Sequence, residues 1–371
     1  MPDIILPKHT DLSSIGEFGL IRRISELVDN SAGDPALSAN LVKGIGDDAA
    51  VFKTGAGKLQ LLTTDGLVEG VHFDLTYTSM KHLGWKSIVA SISDVAAMGG
   101  LSRYAVIALA IPQKISAEMV EEFYQGAAFA GRKHSCLIVG GDTAASLSGM
   151  MVTVTMTGEV SPERVRFRSG AKPGDYLCVS GHLGASVAGL KILQREKARF
   201  AALGLAAGGA AARGVETGNG AFQPNLEPYR EVLEKHLMPN PRTDLAKIFA
   251  EEIEVNALID ISDGLASEVG HLCEKSNVGA AVWEHNLPVI AGTQLVAGEF
   301  SESATDYALY GGEEYELLFS ISEAEFAKLE RLSNDVTVVG RVTEKEKGIR
   351  WVKESGEELP LEPGGWNHFG R

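Results

Sequence analysis

Carboxylates beside glycines are the residues of this chain best suited to chemistry. Asp47 and Asp48 follow a Gly-Ile-Gly turn in "GIGDDAAVF", and Asp65 closes the apolar run of "LLTTDGLVEGVHF". Asp142 follows "LIVGG", and Asp260 and Asp263 stand in "NALIDISDGL". Each run reads as a strand with an acid at its end, and loops at strand ends are where sites are usually built. A single aspartate next to glycine is equally an ordinary turn or cap residue, so convergence is an expectation that spacing alone does not prove. If the acids do meet, two like charges about 4 Å apart cost roughly 4 kcal/mol at an effective dielectric near 20. Several carboxylates could not stay ionised together without cations. Their oxygens, with the hydroxyls of Thr63 and Thr64, are hard ligands suited to Mg2+, and no histidine or cysteine repeats at zinc-ligand spacing. Mg2+ held by carboxylates keeps part of its water shell and bridges to phosphates, which points to nucleotide chemistry.

Asp94 makes the sharper case. In "KHLGWKSIVASISDVAAMGG" the residues Ile88, Ile92, Val95 and Met98 form one apolar helical face, and Asp94 shares another with Ser87, Ala90 and Ser91. An acid in the last turns of a helix meets the negative end of the macrodipole. A cation or basic partner reverses that penalty, and the small neighbours leave room for it; a structural salt bridge is the plainer alternative. In "DISDGLASEVGHL", Ser262 or Asp263 reads as the N-cap of a helix whose core face is Leu265, Val269 and Leu272. The functional reading adds a metal or phosphate at that helix N-terminus.

The elements that must position these acids follow from periodicity. "GEFGLIRRISELV" is an amphipathic helix; strands are expected at 50–52, 59–64, 104–111, 136–139 and 151–158, with helices at 81–98 and 117–133. The polar stretch "SPERVRFRSGAKPGD" is the boundary between an N-terminal domain, 1–165, and a C-terminal domain, 166–371. In the second domain, strands are expected at 176–179, 257–261, 315–321 and 336–339, with helices at 242–252, from 265, and at 323–332. The Ala/Gly-rich segment at about 195–227 reads as a flexible insertion and carries no phosphate-loop pattern. Alternation in two halves indicates an α/β or α+β architecture.

Composition narrows the function. With 371 residues the chain is long enough for two cores, and a net charge of −15 argues against nucleic acid or an anionic membrane as partner. No apolar run reaches the roughly 18 residues of a membrane span, and the start shows no signal-peptide pattern, so the cytoplasm is the expected compartment. Cys136, Cys178 and Cys273 lie far apart among apolar or small residues and read as buried reduced thiols.

Together, "GEFGLI", "GIGDDAAV", "TTDGLVEGVHF", "SDVAAMGG", "VGGDT", "RSGAKPGD", "DISDGL", "GGEEYELLF" and "GGWNHF" occur in one order along nearly the whole chain. In this the sequence resembles the thiamine-monophosphate kinases, of the superfamily that includes aminoimidazole ribonucleotide synthetase and selenophosphate synthetase. The resemblance implies the two-domain aminoimidazole ribonucleotide synthetase-like fold, an N-terminal sheet domain that dimerises and a C-terminal α/β layer. It implies Asp48, Thr63, Thr64, Asp65, Asp94, Asp142, Asp260 and Asp263 as ligands of several Mg2+ ions, with Asp47 supporting. It further implies Gly141, Asp142, Arg168 and Ser262 at ATP, and His72, Glu313 and Trp366 at thiamine monophosphate. Read without it, His72 is a surface histidine, Arg168 a solvated loop charge, Glu313 a turn acid and Trp366 a core anchor.

The implied reaction moves the γ-phosphoryl group of ATP onto the phosphate of thiamine monophosphate. That acceptor has a second pKa of about 6, so no general base is expected, and neutralising and aligning two anions is the task. Among relatives, selenophosphate synthetase is disfavoured because no cysteine precedes Cys136, and the hydrogenase-maturation relative because the chain ends "HFGR". An aminoimidazole ribonucleotide synthetase-like ligase and a non-catalytic nucleotide-binding regulator are the alternatives.

Overall fold

The computed structural model describes residues 12–29, 35–55, 57–202, 224–362 and 364–365. The N-terminal half runs α1 (Leu12–Asp29), α2 (Pro35–Asn40), β1 (Leu41–Lys43), β2 (Ala50–Lys53), β3 (Leu59–Val68), α3 (Met80–Ala97), β4 (Leu101–Pro112), α4 (Ala117–Lys133), β5 (Leu137–Ser146) and β6 (Met151–Val160). Its strands form a six-stranded sheet of order β1-β2-β3-β6-β4-β5. The C-terminal half runs β7 (Tyr176–Ser180), α5 (Ala185–Ala202), α6 (Arg230–Leu237), α7 (Thr243–Glu251), β8 (Ala257–Ile261), α8 (Leu265–Ser276), β9 (Gly279–Trp283), α9 (Ala291–Phe300) and α10 (Ala304–Tyr310). It closes with β10 (Glu316–Ile321), α11 (Glu323–Leu329), β11 (Val336–Thr343), β12 (Ile349–Val352) and β13 (Glu358–Pro360). These strands form a seven-stranded sheet of order β13-β12-β9-β11-β7-β10-β8.

Two acids expected at strand ends lie inside strands instead. β3 continues past Asp65 to Val68 because β6 pairs with it over its full length, Asp65 opposite Val154. β5 carries Gly141 and Asp142 in its middle, since β4 is long enough to pair with it as far as Ser146. Asp260 sits within β8, whose bounds are those expected from the sequence, opposite Leu317 of β10. The N-cap of α8 is Gly264, at φ 126°, and neither Ser262 nor Asp263 takes that position. The helix entering the expected insertion, α5, extends to Ala202; residues 203–223 and Trp366 lie outside the described residues. The strands β9, β12 and β13 and the helices α9 and α10 were not legible in the periodicity. All three cysteines are free and buried, as expected.

α3 is the element on which both halves converge. The Ser79 side chain accepts from His82 N and caps its start, and burial extends around nearly its whole circumference. Ile88, Ile92 and Val95 enter the N-terminal core with Leu61, Phe123 and Val154, while Ala97 joins Leu258 and Phe319 in a core of the other half. Against α4 the approach is backbone to backbone. A Cβ on Gly84 would lie 1.9 Å from Phe123 O, and one on Gly126 1.9 Å from Lys81 O. Gly126→Ala is therefore expected to lower stability by about 3 kcal/mol. Gly298→Ala in α9, where a Cβ meets nothing within 4 Å, is expected to raise it by about 0.5 kcal/mol. Urea denaturation midpoints of the two variants check both signs.

Candidate active site

A cleft of about 1450 Å³ runs between the two halves, lined by residues of both. At its centre one carboxylate oxygen from each of Asp48, Asp94 and Asp260 lies within 4.8 Å of the other two. Asp48 comes from the loop before β2, Asp94 from the last turns of α3 and Asp260 from β8, so three distant segments build one cluster. Each acid has a donor. Asp48 Oδ1 accepts from Arg168 Nη2 at 2.6 Å and Nε at 3.2 Å, Asp260 Oδ2 from Ser93 Oγ at 2.6 Å, and Asp94 Oδ2 from Thr63 Oγ1. Asp65, next to the cluster, accepts from Ser91 Oγ at 2.6 Å.

These donors do not balance the charge. Burial, then the charges of Asp65, Asp260 and Asp48, pushes the Asp94 carboxyl well above the usual range. Burial, then Asp48, pushes Asp260 up to about 8. Asp48 is raised by burial despite Arg168, and Asp65 by burial despite Ser91. Asp48 Oδ2 is buried and has no hydrogen-bond partner. An orphaned carboxylate oxygen within a set of converging hard donors fits a divalent cation such as Mg2+.

The remaining expected residues divide into those near the cluster and those away from it. Thr63, Asp65, His72, Arg168, Ser262, Asp263 and Glu313 line the same cleft. His72 Nδ1 accepts from Val68 N at 3.1 Å, which turns the ring back onto β3. Asp263 N donates to Glu268 Oε1 at 3.0 Å. Thr64 also lines the cleft, but strand alternation turns its hydroxyl onto Val154 O at 3.1 Å and Thr155 Oγ1 at 3.0 Å. Asp47 is occupied: Oδ1 accepts from Arg168 N at 2.9 Å and Oδ2 faces Lys43 Nζ at 3.0 Å, so it holds the loop that carries Asp48. Gly141 and Asp142 stand apart on the exposed edge strand β5, three strands from β3, or roughly 14 Å at ordinary strand spacing.

Sequence reasoning missed Lys86, Ser93, Ser186 and His236. Lys86 Nζ donates to Glu313 Oε2 at 2.6 Å, and Ser186 Oγ lies 3.2 Å from His236 Nδ1. For Lys86 and Ser93 the available signal was polar side chains inside the otherwise apolar α3; Ser186 and His236 lie in α5 and α6.

The family described as AIR synthase related protein, N-terminal domain, matches residues 46–160, and its C-terminal counterpart matches residues 172–353. A curated thiamine-monophosphate kinase of Aquifex aeolicus is 34% identical over 96% of this chain and 99% of its own. That of Bacillus subtilis is 32% identical over 88% and 93%. This chain belongs to the thiamine-monophosphate kinase family. The structure described as AaThiL complexed with AMPPCP and TMP matches it with a TM-score of 0.78 at 32% identity, covering 97% of this chain and 99% of that one. The hydrogenase maturation protein HypE, at 17% identity and a TM-score of 0.62, shares the fold. The thiamine-monophosphate kinase family therefore supplies the two-domain aminoimidazole ribonucleotide synthetase-like fold, and the acid cluster lies in the cleft between its two domains.

The raised carboxyls make stability depend on pH. A carboxyl whose folded pKa lies above its unfolded value of about 3.9 is protonated on folding, so its contribution is full below that value and is lost as pH rises towards the folded pKa. For Asp260 the window runs from about 4 in the unfolded chain to about 8 in the folded one. Metal-free protein is expected to melt at progressively lower temperature from pH 5 to pH 8, and millimolar Mg2+ to remove most of that slope. Thermal melts across the range, with and without Mg2+, measure it; a flat metal-free profile contradicts the charge balance described here.

Proposed function

We propose that this protein is a thiamine-monophosphate kinase that transfers the γ-phosphoryl group of ATP directly to the phosphate of thiamine monophosphate, giving thiamine diphosphate and ADP. The observation that carries the reading is the convergence of Asp48, Asp94 and Asp260 in the cleft, with Arg168 paired to Asp48. Asp48, Asp94 and Asp260, with Asp65, Asp263, Thr63 and Thr64 around them, would hold Mg2+, which supplies neutralisation of the phosphates it touches. Arg168 and Ser262 serve the nucleotide, and His72 and Glu313 the thiamine moiety.

The protein's own groups have a positional task. The attacking atom is a phosphate oxygen, largely deprotonated near neutral pH because its second pKa is about 6. The histidines need take no proton from it. Burial holds His236 at about 3 and His271 at about 4, so both are neutral and neither adds charge to the acceptor's path. Arg168, fixed by Asp48 and by its backbone bond to Asp47, is a pre-oriented cation at the nucleotide end.

Purified protein with Mg2+, ATP and thiamine monophosphate is expected to give thiamine diphosphate and ADP in equal amounts on chromatography. Free thiamine is expected to be inert, since its hydroxyl would need a base. Asp94→Asn should lower transfer at least about 100-fold while the metal-free protein melts no lower than wild type. ADP without thiamine diphosphate, or a destabilised but active variant, rejects the assignment.

The reading includes a homodimer in the cytoplasm. Among the described residues no helix is long and apolar enough to cross a membrane. β5 is an exposed edge strand, with Leu137 63% and Val139 57% exposed, and Tyr104 and Val106 are exposed on the neighbouring β4. A second copy over this sheet would cover the apolar surface and bring Gly141 and Asp142, too far from their own β3, to the partner's cleft. Inactive Asp94→Asn and Asp142→Asn chains, co-expressed, should then recover up to about a quarter of wild-type activity, because half the dimers are mixed and one of their two sites is intact. If both residues serve the same chain's site, mixing restores nothing.

A further inference from the structure

Lys86 is a buried cation that the reaction as described does not use. Its side chain is only 4% exposed, between the buried residues Trp85 and Ser87 of α3. A buried ammonium is retained only with a partner that repays its lost hydration, and that partner is Glu313, on the loop between α10 and β10. The loop is itself constrained. Glu313 and Tyr315 have φ of 61° and 54°, a left-handed conformation uncommon for side-chain-bearing residues. Glu313 N donates to Ser262 O at 2.7 Å, and Tyr315 N to Ile261 O at 2.9 Å, which ties the loop to the end of β8. The alternation sends Glu314 the other way, to accept from Ser186 N at 3.0 Å, while the Glu313 side chain, 26% exposed, lines the cleft.

We propose that Lys86 is a positioning residue for Glu313, and that the pair presents a fixed carboxylate oxygen to an N–H donor on the amino-substituted ring of the substrate. This rests on the function proposed above. Lys86 takes Oε2, leaving Oε1 to accept from a ligand. Burial alone would raise the Glu313 carboxyl, but the charge and hydrogen bond of Lys86 bring it below its ordinary value. His236, whose Nδ1 lies 3.9 Å from the same Oε2, is kept neutral, so Lys86 carries the balancing charge. The resulting pair is close to neutral overall, and it recognises a hydrogen-bond donor more than a positive charge. Lys86 and Asp94 are eight residues apart on α3, roughly 12 Å of helix rise. A ligand with its phosphate at the acid cluster and its amino group at Glu313 must be extended, as a phosphate ester bearing two linked rings is.

A double-mutant cycle on the full-length protein tests this, with thiamine monophosphate and a non-hydrolysable ATP analogue titrated separately in the presence of Mg2+. Lys86→Met is expected to weaken thiamine monophosphate binding about tenfold and the ATP analogue less than about twofold. In a Glu313→Gln background the same change should alter thiamine monophosphate binding by less than about twofold, because Lys86 acts through the residue already changed. Oxythiamine monophosphate, which lacks the amino group, should bind wild type and Lys86→Met alike. Additive losses, equal loss of both ligands, or retained discrimination against oxythiamine monophosphate by Lys86→Met overturns the proposal. If Lys86→Met fails to fold, the double variant removes both charges, and its comparison with Glu313→Gln decides alone. A wild type that binds the ATP analogue but not thiamine monophosphate defeats the functional reading itself; one that binds both but shows additivity defeats only this inference.

Discussion

The structure depends on the burial of a helix that carries polar side chains. α3 lies between the two halves with almost no solvent-facing side, so each of its polar groups must find a partner within the protein. An unmet group costs about 1–3 kcal/mol. The partners come from elsewhere in the chain: Lys86 reaches the loop before β10, Ser91 reaches β3, Ser93 reaches β8, and Asp94 is met by Thr63 of β3. Satisfying one helix thus brings segments from both domains to one place. The apolar residues of α3 enter the cores of both domains, and its polar residues give the cleft its chemistry.

The same arrangement stores electrostatic energy. Arg168 is paired with Asp48, whereas Asp65, Asp94 and Asp260 accept from the hydroxyls of Ser91, Thr63 and Ser93, and burial amplifies their repulsion. A carboxylate cluster of this kind opposes folding and favours whatever cation enters it, so stability is given up locally for binding. Elsewhere buried charge is balanced. Glu316 is met by Lys235, Arg242 and Ser180, and its carboxyl is lowered despite burial. The contrast between the two buried acid sites separates a structural network from one suited to ligands.

Much of this was legible in the sequence, for physical reasons that can be named. The helical period of α3 placed Asp94 among small residues, and the repeated Asp–Gly pairs marked the loops and strands that supply the other acids. What failed was the assumption that an acid ends a strand. Asp65 and Asp142 lie inside strands because backbone pairing with β6 and β4 continues past them, and partner length is not encoded next to the residue itself. The cap of α8 was misplaced for a related reason: a glycine at φ 126° makes the entry turn without a side-chain bond. β9, α9 and α10 follow from packing rather than local pattern. Lys86 could be seen in the sequence, but its partner is 227 positions away.

The crossing of α3 and α4 carries one more consequence. Where an alanine would place a methyl group, these helices place the carbonyls of Lys81 and Phe123, so they meet without any cushion of side chains. A joint of that kind has no slack along its axis, because a shift of one residue would drive Trp85 or Ala127 into the space that only glycine leaves open. Asp94 cannot retreat from its neighbours by sliding with its helix. The protein has closed the mechanical route to relieving its own repulsion, and leaves only a chemical one: a proton or a cation must come in from outside.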